Sequence, residues 1–135
     1  MKQRVLIIGW DEILVQTRVD LLGTRYEAVA AKPDQAVRLL SELGYDLLLV
    51  CSSVPNDEAE ILTREAHQTF PQLLIVRLTS FDTPFTEKLF AHEVLPLDFR
   101  PDVWMNAIGK LLTPKLHQMP NPGHGLSSSA SSRVT

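Results

Sequence analysis

The chain has 135 residues, of which 44% are hydrophobic and 21% charged, and carries a formal net charge of −3, which suffices for one domain with a real core and not for two ordinary ones. A mildly acidic chain without a clustered basic face is not built to track a nucleic-acid backbone or an anionic membrane, and no apolar run approaches the roughly 20 residues of a membrane helix. The single cysteine, Cys51, closes no internal disulfide. Met1-Lys2-Gln3-Arg4 imitates a signal peptide, but Asp11 and Glu12 cut the apolar run short and no small-residue cleavage site follows, so a cytoplasmic protein is expected.

Val5 to Ile8, V-L-I-I, predicts a buried strand. Gly9 marks a turn at its carboxyl edge, where α/β sheets build their sites. From Asp11 to Leu22, Ile13, Leu14, Thr17, Leu21 and Leu22 recur at helical spacing, and Gly23 closes that helix. Tyr26 to Ala31 predicts a weaker second strand. Pro33 to Leu43 follows as a helix with Ala36, Val37, Leu39, Leu40 and Leu43 on its inner face and Gly44 at its end. Asp46 to Cys51 is apolar without alternation, as a central parallel strand covered on both faces should be. After the loop Ser52 to Pro55, Asn56 or Asp57 is placed to cap a helix running to about Thr69, with Ala59, Ile61, Leu62, Ala66 and Phe70 inward. Leu73 to Thr79 predicts a fourth strand and Glu93 to Leu95 a short fifth. Pro101 to Leu112 predicts a last helix with Val103, Trp104, Ala107, Ile108, Leu111 and Leu112 as its stripe.

Beyond Thr113 the prolines Pro114, Pro120 and Pro122, with Gly123, Gly125 and the serines between Ser127 and Ser132, offer a core almost nothing. The expected organisation is one domain over residues 3–113 and a disordered Pro/Gly/Ser-rich tail over 114–135. Strands alternating with helices and right-handed crossovers give an α/β fold, a doubly wound five-stranded parallel sheet in the order 2-1-3-4-5 with helices on both faces.

The succession V-L-I-I, a helix, Y-E-A-V-A-A, a second helix, Y-D-L-L-L-V, a loop with Pro55, L-L-I-V-R-L-T-S and a late V-L-P resembles a bacterial response-regulator receiver domain of the flavodoxin-like, chemotaxis-regulator type. The resemblance covers nearly the whole expected domain. It implies two acidic residues after the first strand that hold Mg²⁺, a hard cation requiring oxygen ligands; those positions fall on Gly9 and Trp10. It implies a phosphorylated aspartate at the end of the third strand, which here is Cys51, and a lysine after the fifth strand, which here is Leu95 preceding Pro96. Thr79 keeps the switch hydroxyl, and His92 stands at the switch aromatic. Without carboxylates, metal or lysine, nothing offsets the charge of a transferring phosphoryl group. The expected protein is therefore a degenerate pseudo-receiver, with Trp10 filling the vacated pocket between the loops of Cys51 and Leu95.

Two alternatives stand beside it. A shift of the site by two residues makes Asp11 and Glu12 the acidic pair of a phosphorylatable receiver, provided Gly9-Trp10 extends the strand. A small thiol-dependent sensor or enzyme would instead use Cys51, although a reactive thiolate needs a nearby cation or helix N-terminus. His67, His92, His117 and His124 are too widely spaced to suggest a metal site. Gly9 lacks the further glycines of a dinucleotide loop, and Thr79 and Ser80 have no base in sequence reach, so no cofactor and no catalytic residue are expected. The stretch from Thr79 to Leu95 is a helical turn or two shorter than receivers usually have and contains Pro84, which predicts a short or irregular fourth helix in receiver order. Phe81, Phe85, Leu89 and Phe90 within it patch the core or mark a docking surface. The expected function is phosphorylation-independent binding of a protein partner in a two-component or phosphorelay setting, by a monomer or weak homodimer that binds neither nucleic acid nor membrane.

Overall fold

The computed structural model describes residues 2–79, 91–96 and 101–113. The sheet grows from the apolar runs. Strands β1 (Arg4–Ile8) and β3 (Leu47–Val50) lie side by side, with Val5 opposite Leu47 and Ile8 opposite Val50. Both are buried on both faces, since Val5 to Ile8 and Leu47 to Val50 expose nothing to solvent, and each aliphatic side chain so buried contributes about 1.5 to 3 kcal/mol. Strand β2 (Glu27–Ala31) flanks β1, and β4 (Leu74–Thr79) and β5 (Glu93–Pro96) follow β3. All pairings are parallel in the order β2-β1-β3-β4-β5. This is the doubly wound architecture expected from the alternation of periods.

Helices cover both faces. Leu6, Ile8, Leu48, Val50 and Ile75 pack with α2 (Ala36–Glu42), which a 3-10 turn at Pro33–Gln35 leads into, and with α3 (Asn56–Thr69). Val5, Ile7, Leu47, Leu49, Cys51, Val76 and Leu78 pack on the other face with α1 (Glu12–Leu22) and α4 (Pro101–Leu112). No helix among the described residues is long and apolar enough to cross a membrane.

Several side chains face differently from the sequence expectation. Helix α1 buries Val15, Arg18 and Leu22, while Ile13 and Leu14 of the expected stripe are exposed. The helix sits rotated because Val15, Arg18 and Leu22 themselves recur at helical spacing, an alternative stripe that an arginine disguises. Ile61, expected inward on α3, is exposed, while Ala59, Leu62, Thr63 and Ala66 are buried. Leu43 and Val103 are exposed as well. Helix α3 is capped by Pro55 with no side-chain bond, and Asp57 instead accepts from the N–H of Glu58 at 3.0 Å, so neither Asn56 nor Asp57 is the cap. The expected tail, the short fourth helix with Phe81, Phe85, Leu89 and Phe90, and the side chain of Trp104 lie outside the described residues.

Candidate functional site

The carboxyl ends of the strands bring Gly9, Cys51, Thr79 and Leu95 to one edge of the sheet. Gly9 and Cys51 directly follow the paired residues Ile8 and Val50, and the Cys51 N–H donates to the Ile8 carbonyl at 2.9 Å. On the other side Val50 is opposite Arg77, Leu78 is opposite Leu95, and Thr79 is opposite Pro96. Topology therefore assembles four of the six positions that the receiver resemblance singles out. Their chemistry is a different matter.

Gly9 has no room for a side chain. A Cβ there would lie 2.7 Å from Ser53 Oγ, 2.9 Å from Val15 Cγ2 and 3.1 Å from Cys51 Cβ. Ser53 cannot swing aside freely, because its hydroxyl accepts from the N–H groups of Trp10 at 2.8 Å and Asp11 at 3.2 Å. Those bonds fold the chain sharply off the end of β1. A side chain at the first acidic position would therefore require Ser53 or Val15 to shift.

Trp10 does not fill the pocket. Its indole is 40% exposed, donates from Nε1 to Glu58 Oε1 on α3 at 2.8 Å and borders a surface depression with Val37 and Ile61. The polar Nε1–H finds a carboxylate on the rim, where a buried indole would have needed an interior acceptor. Val15 packs in the same cluster as Cys51, and the buried Arg18 guanidinium is close enough to act electrostatically on its thiol.

The strand extension that a shifted site requires is absent. Strand β1 stops at Ile8 and is not extended by Gly9-Trp10. Asp11 is the N-cap of α1, its Oδ1 accepting from the Leu14 N–H at 3.2 Å. Glu12 is solvent-facing and reaches Lys32 at 3.9 Å. Both carboxylates are engaged at the start of α1. Mg²⁺ is implied by the receiver resemblance, and the residues present do not fit it: the first ligand position is sterically closed, Trp10 points elsewhere and Cys51 offers a thiol to a cation that selects oxygen. Among the described residues no group of three or more His, Cys, Asp or Glu is arranged to hold a metal ion.

Cys51 is wholly buried. Burial pushes its thiol up from the ordinary value, Arg18 and then Arg77 acting in the opposite direction and Asp11 reinforcing the rise. Complete burial in the α1 and α4 core cluster gives Cys51 the packing of a small core residue.

Arg77 is the feature that the sequence reading passed over. It lies on β4 with no solvent exposure, and its guanidinium spans the β3–α3 loop: Nη1 donates to the Cys51 carbonyl at 2.6 Å, and Nη2 to the Val54 carbonyl at 2.6 Å and to Asn56 Oδ1 at 3.1 Å. Burial lowers its pKa from the ordinary value, and Cys51 acts against that shift. The Cys51 carbonyl also accepts from the Val54 N–H at 3.1 Å, so Arg77 adds a second bond there, satisfies the Val54 carbonyl and fixes the loop carrying the phosphoacceptor position. The visible signal was a lone cation inside the apolar run L-L-I-V-R-L.

Leu95 packs partly buried against the core on the α1 and α4 face and presents no cation to the edge. His92, at the start of β5, is tied to β4: its N–H donates to the Ile75 carbonyl at 2.8 Å and its Nδ1 accepts from the Ile75 N–H at 3.0 Å. Its ring meets His67 edge-on at 6.0 Å. The switch aromatic position thus carries an imidazole fastened to the backbone of the neighbouring strand.

The fold is that of response-regulator receiver domains. The chain superposes with a TM-score of 0.71 on a chain in the crystal structure of histidine kinase ThkA in complex with response regulator TrrA, at 19% identity over 82% of this chain and 99% of that one. A signal receiver domain of an HD domain-containing protein from Pseudomonas fluorescens gives 0.71, with 19% identity over 82% of this chain and 87% of that one. TrrA from Thermotoga maritima in complex with Mg²⁺ and BeF gives 0.68, with 20% identity over 83% of this chain and all 100% of that one. No family model matches the sequence, and no curated protein matches it.

Proposed function

We propose that this chain is a receiver-like signalling module that works by binding a protein partner and does not take up a phosphoryl group. The observation that carries this reading is the closed Gly9 position, where Ser53, Val15 and Cys51 occupy the space that an acidic side chain requires. Leu95 in place of the lysine and a buried Cys51 in place of the aspartate agree with it. A protein as the class of partner is supported by the structural neighbour solved in complex with a histidine kinase. In this reading the chain is no enzyme, needs no cofactor and acts as a monomer or weak homodimer. Incubation with acetyl phosphate and Mg²⁺ tests it by intact-mass spectrometry at neutral pH. The mass should stay that of the unmodified chain, and a stoichiometric phosphoryl adduct would overturn the reading.

A further inference from the structure

A groove of about 350 Å³ is lined by residues of α2, α3 and the 3-10 turn together with Trp10. Its apolar wall is Trp10, Val37 and Ile61, and Asp34, Glu58 and Glu65 supply its charge. Ile61 is 68% exposed and Trp10 40%. Single exposed apolar residues are ordinary, but here two large ones border the same depression. The Trp10 indole is held in place by its bond to Glu58, so the wall is formed in advance of any ligand.

The electrostatics select what fits. No lysine or arginine lines the groove. The cations near it on the same elements are engaged elsewhere: Lys32 with Glu12, Arg38 with Glu42 and Arg64 with Glu60. Asp34 and Glu65 make no ion pair among the described residues. Three carboxylates around an apolar floor repel nucleic acid and anionic lipid and attract a cation that brings apolar surface with it.

We propose that this groove docks a partner protein segment bearing lysine or arginine beside apolar side chains, the apolar groups covering Trp10, Val37 and Ile61 and the cations meeting Asp34, Glu58 and Glu65. The proposal rests on the reading that the chain works by binding a protein, and it adds the surface and the chemistry of the partner.

The test uses the full chain and a synthetic amphipathic peptide of lysine and leucine, with the same peptide carrying glutamate for lysine as the counterpart. NMR follows the Trp10 indole N–H and the amides of Val37 and Ile61. The lysine peptide should produce saturable shifts there and the glutamate peptide none. Ile61→Ser should weaken binding about tenfold, and Asp34→Asn with Glu65→Gln should weaken it and flatten its salt dependence. All three positions are exposed, so the variants should keep the wild-type circular dichroism. Absence of saturable shifts, shifts confined to other surfaces, or unaltered affinity in both variants would overturn the proposal. So would movement of the Trp10 resonance on dilution of the chain alone, which would make a second copy the occupant, or on removal of residues 114–135, which would make it this chain's own segment. None of these outcomes bears on the phosphoryl test, whose readout is a covalent adduct.

Discussion

Gly9→Ala adds one methyl group at the most crowded point of the sheet edge. No positive φ is involved, so the effect is one of space alone. The new carbon would stand 2.7 Å from Ser53 Oγ, 2.9 Å from Val15 Cγ2 and 3.1 Å from Cys51 Cβ, where ordinary carbon contacts are about 3.5 to 4.0 Å. Ser53 cannot yield without giving up its bonds to Trp10 and Asp11, and Cys51 is held through its carbonyl by Arg77. Overpacking against such fixed neighbours costs about 2 kcal/mol, which for a domain of this size lowers the melting midpoint by on the order of 10 °C. The assay is a thermal melt with urea titration on wild type, Gly9→Ala and Gly9→Ala with Val15→Ala. The double variant should recover part of the loss, because it removes one of the three contacts. A Gly9→Ala protein that melts within a degree of wild type would show that the edge has room, and the steric argument against an acidic pair would fall.

Trp10→Ala should cost less than about 1 kcal/mol, since it removes a half-exposed ring and one rim hydrogen bond; a loss typical of a core aromatic would return Trp10 to the role of pocket filler. Arg77→Met should destabilise by about 3 kcal/mol in urea unfolding, because it strands the buried Val54 carbonyl and removes the charged bond to the Cys51 carbonyl, and Arg77→Lys should rescue little, lacking the guanidinium fork. Partial desolvation, then the neighbouring His67, lower the His92 pKa in the folded chain. The unfolded chain therefore binds the extra proton first, and stability is full above about pH 6.5 and lost as pH falls through the folded value. Loss of the Nδ1 acceptor on protonation has the same sign. His92→Gln should flatten the dependence of stability on pH between about pH 7 and 5, and an unchanged slope would assign it to other groups.

The sheet was legible because its signals are redundant. Continuous apolar runs such as V-L-I-I and L-L-L-V allow only a strand covered on both faces, and the observed strands keep the expected order, with ends moved by a residue at most. Residue positions at the site were legible for the same reason, since topology fixes which strand ends meet. Side-chain direction was not. Arg77 is buried because its guanidinium finds hydrogen-bond acceptors inside, and Arg18 is buried on the core face of α1, which composition cannot reveal. Trp10 faces outward because Ser53 turns the backbone within one residue of Ile8, and that bond joins residues 43 positions apart. The amphipathic stripe of α1 was misread for a related reason: a pattern scored on apolar residues cannot count the arginine at its centre.

The most direct test of the account is the response of the sheet edge to beryllofluoride with Mg²⁺, which occupies a neighbouring fold in the TrrA complex. The backbone resonances of Gly9, Cys51 and Thr79 are followed during titration. With the first ligand position closed and neither aspartate nor lysine at Cys51 and Leu95, the three resonances should stay where they are in the free protein. Specific, saturable shifts at all three would show a working phosphoryl site and contradict the account.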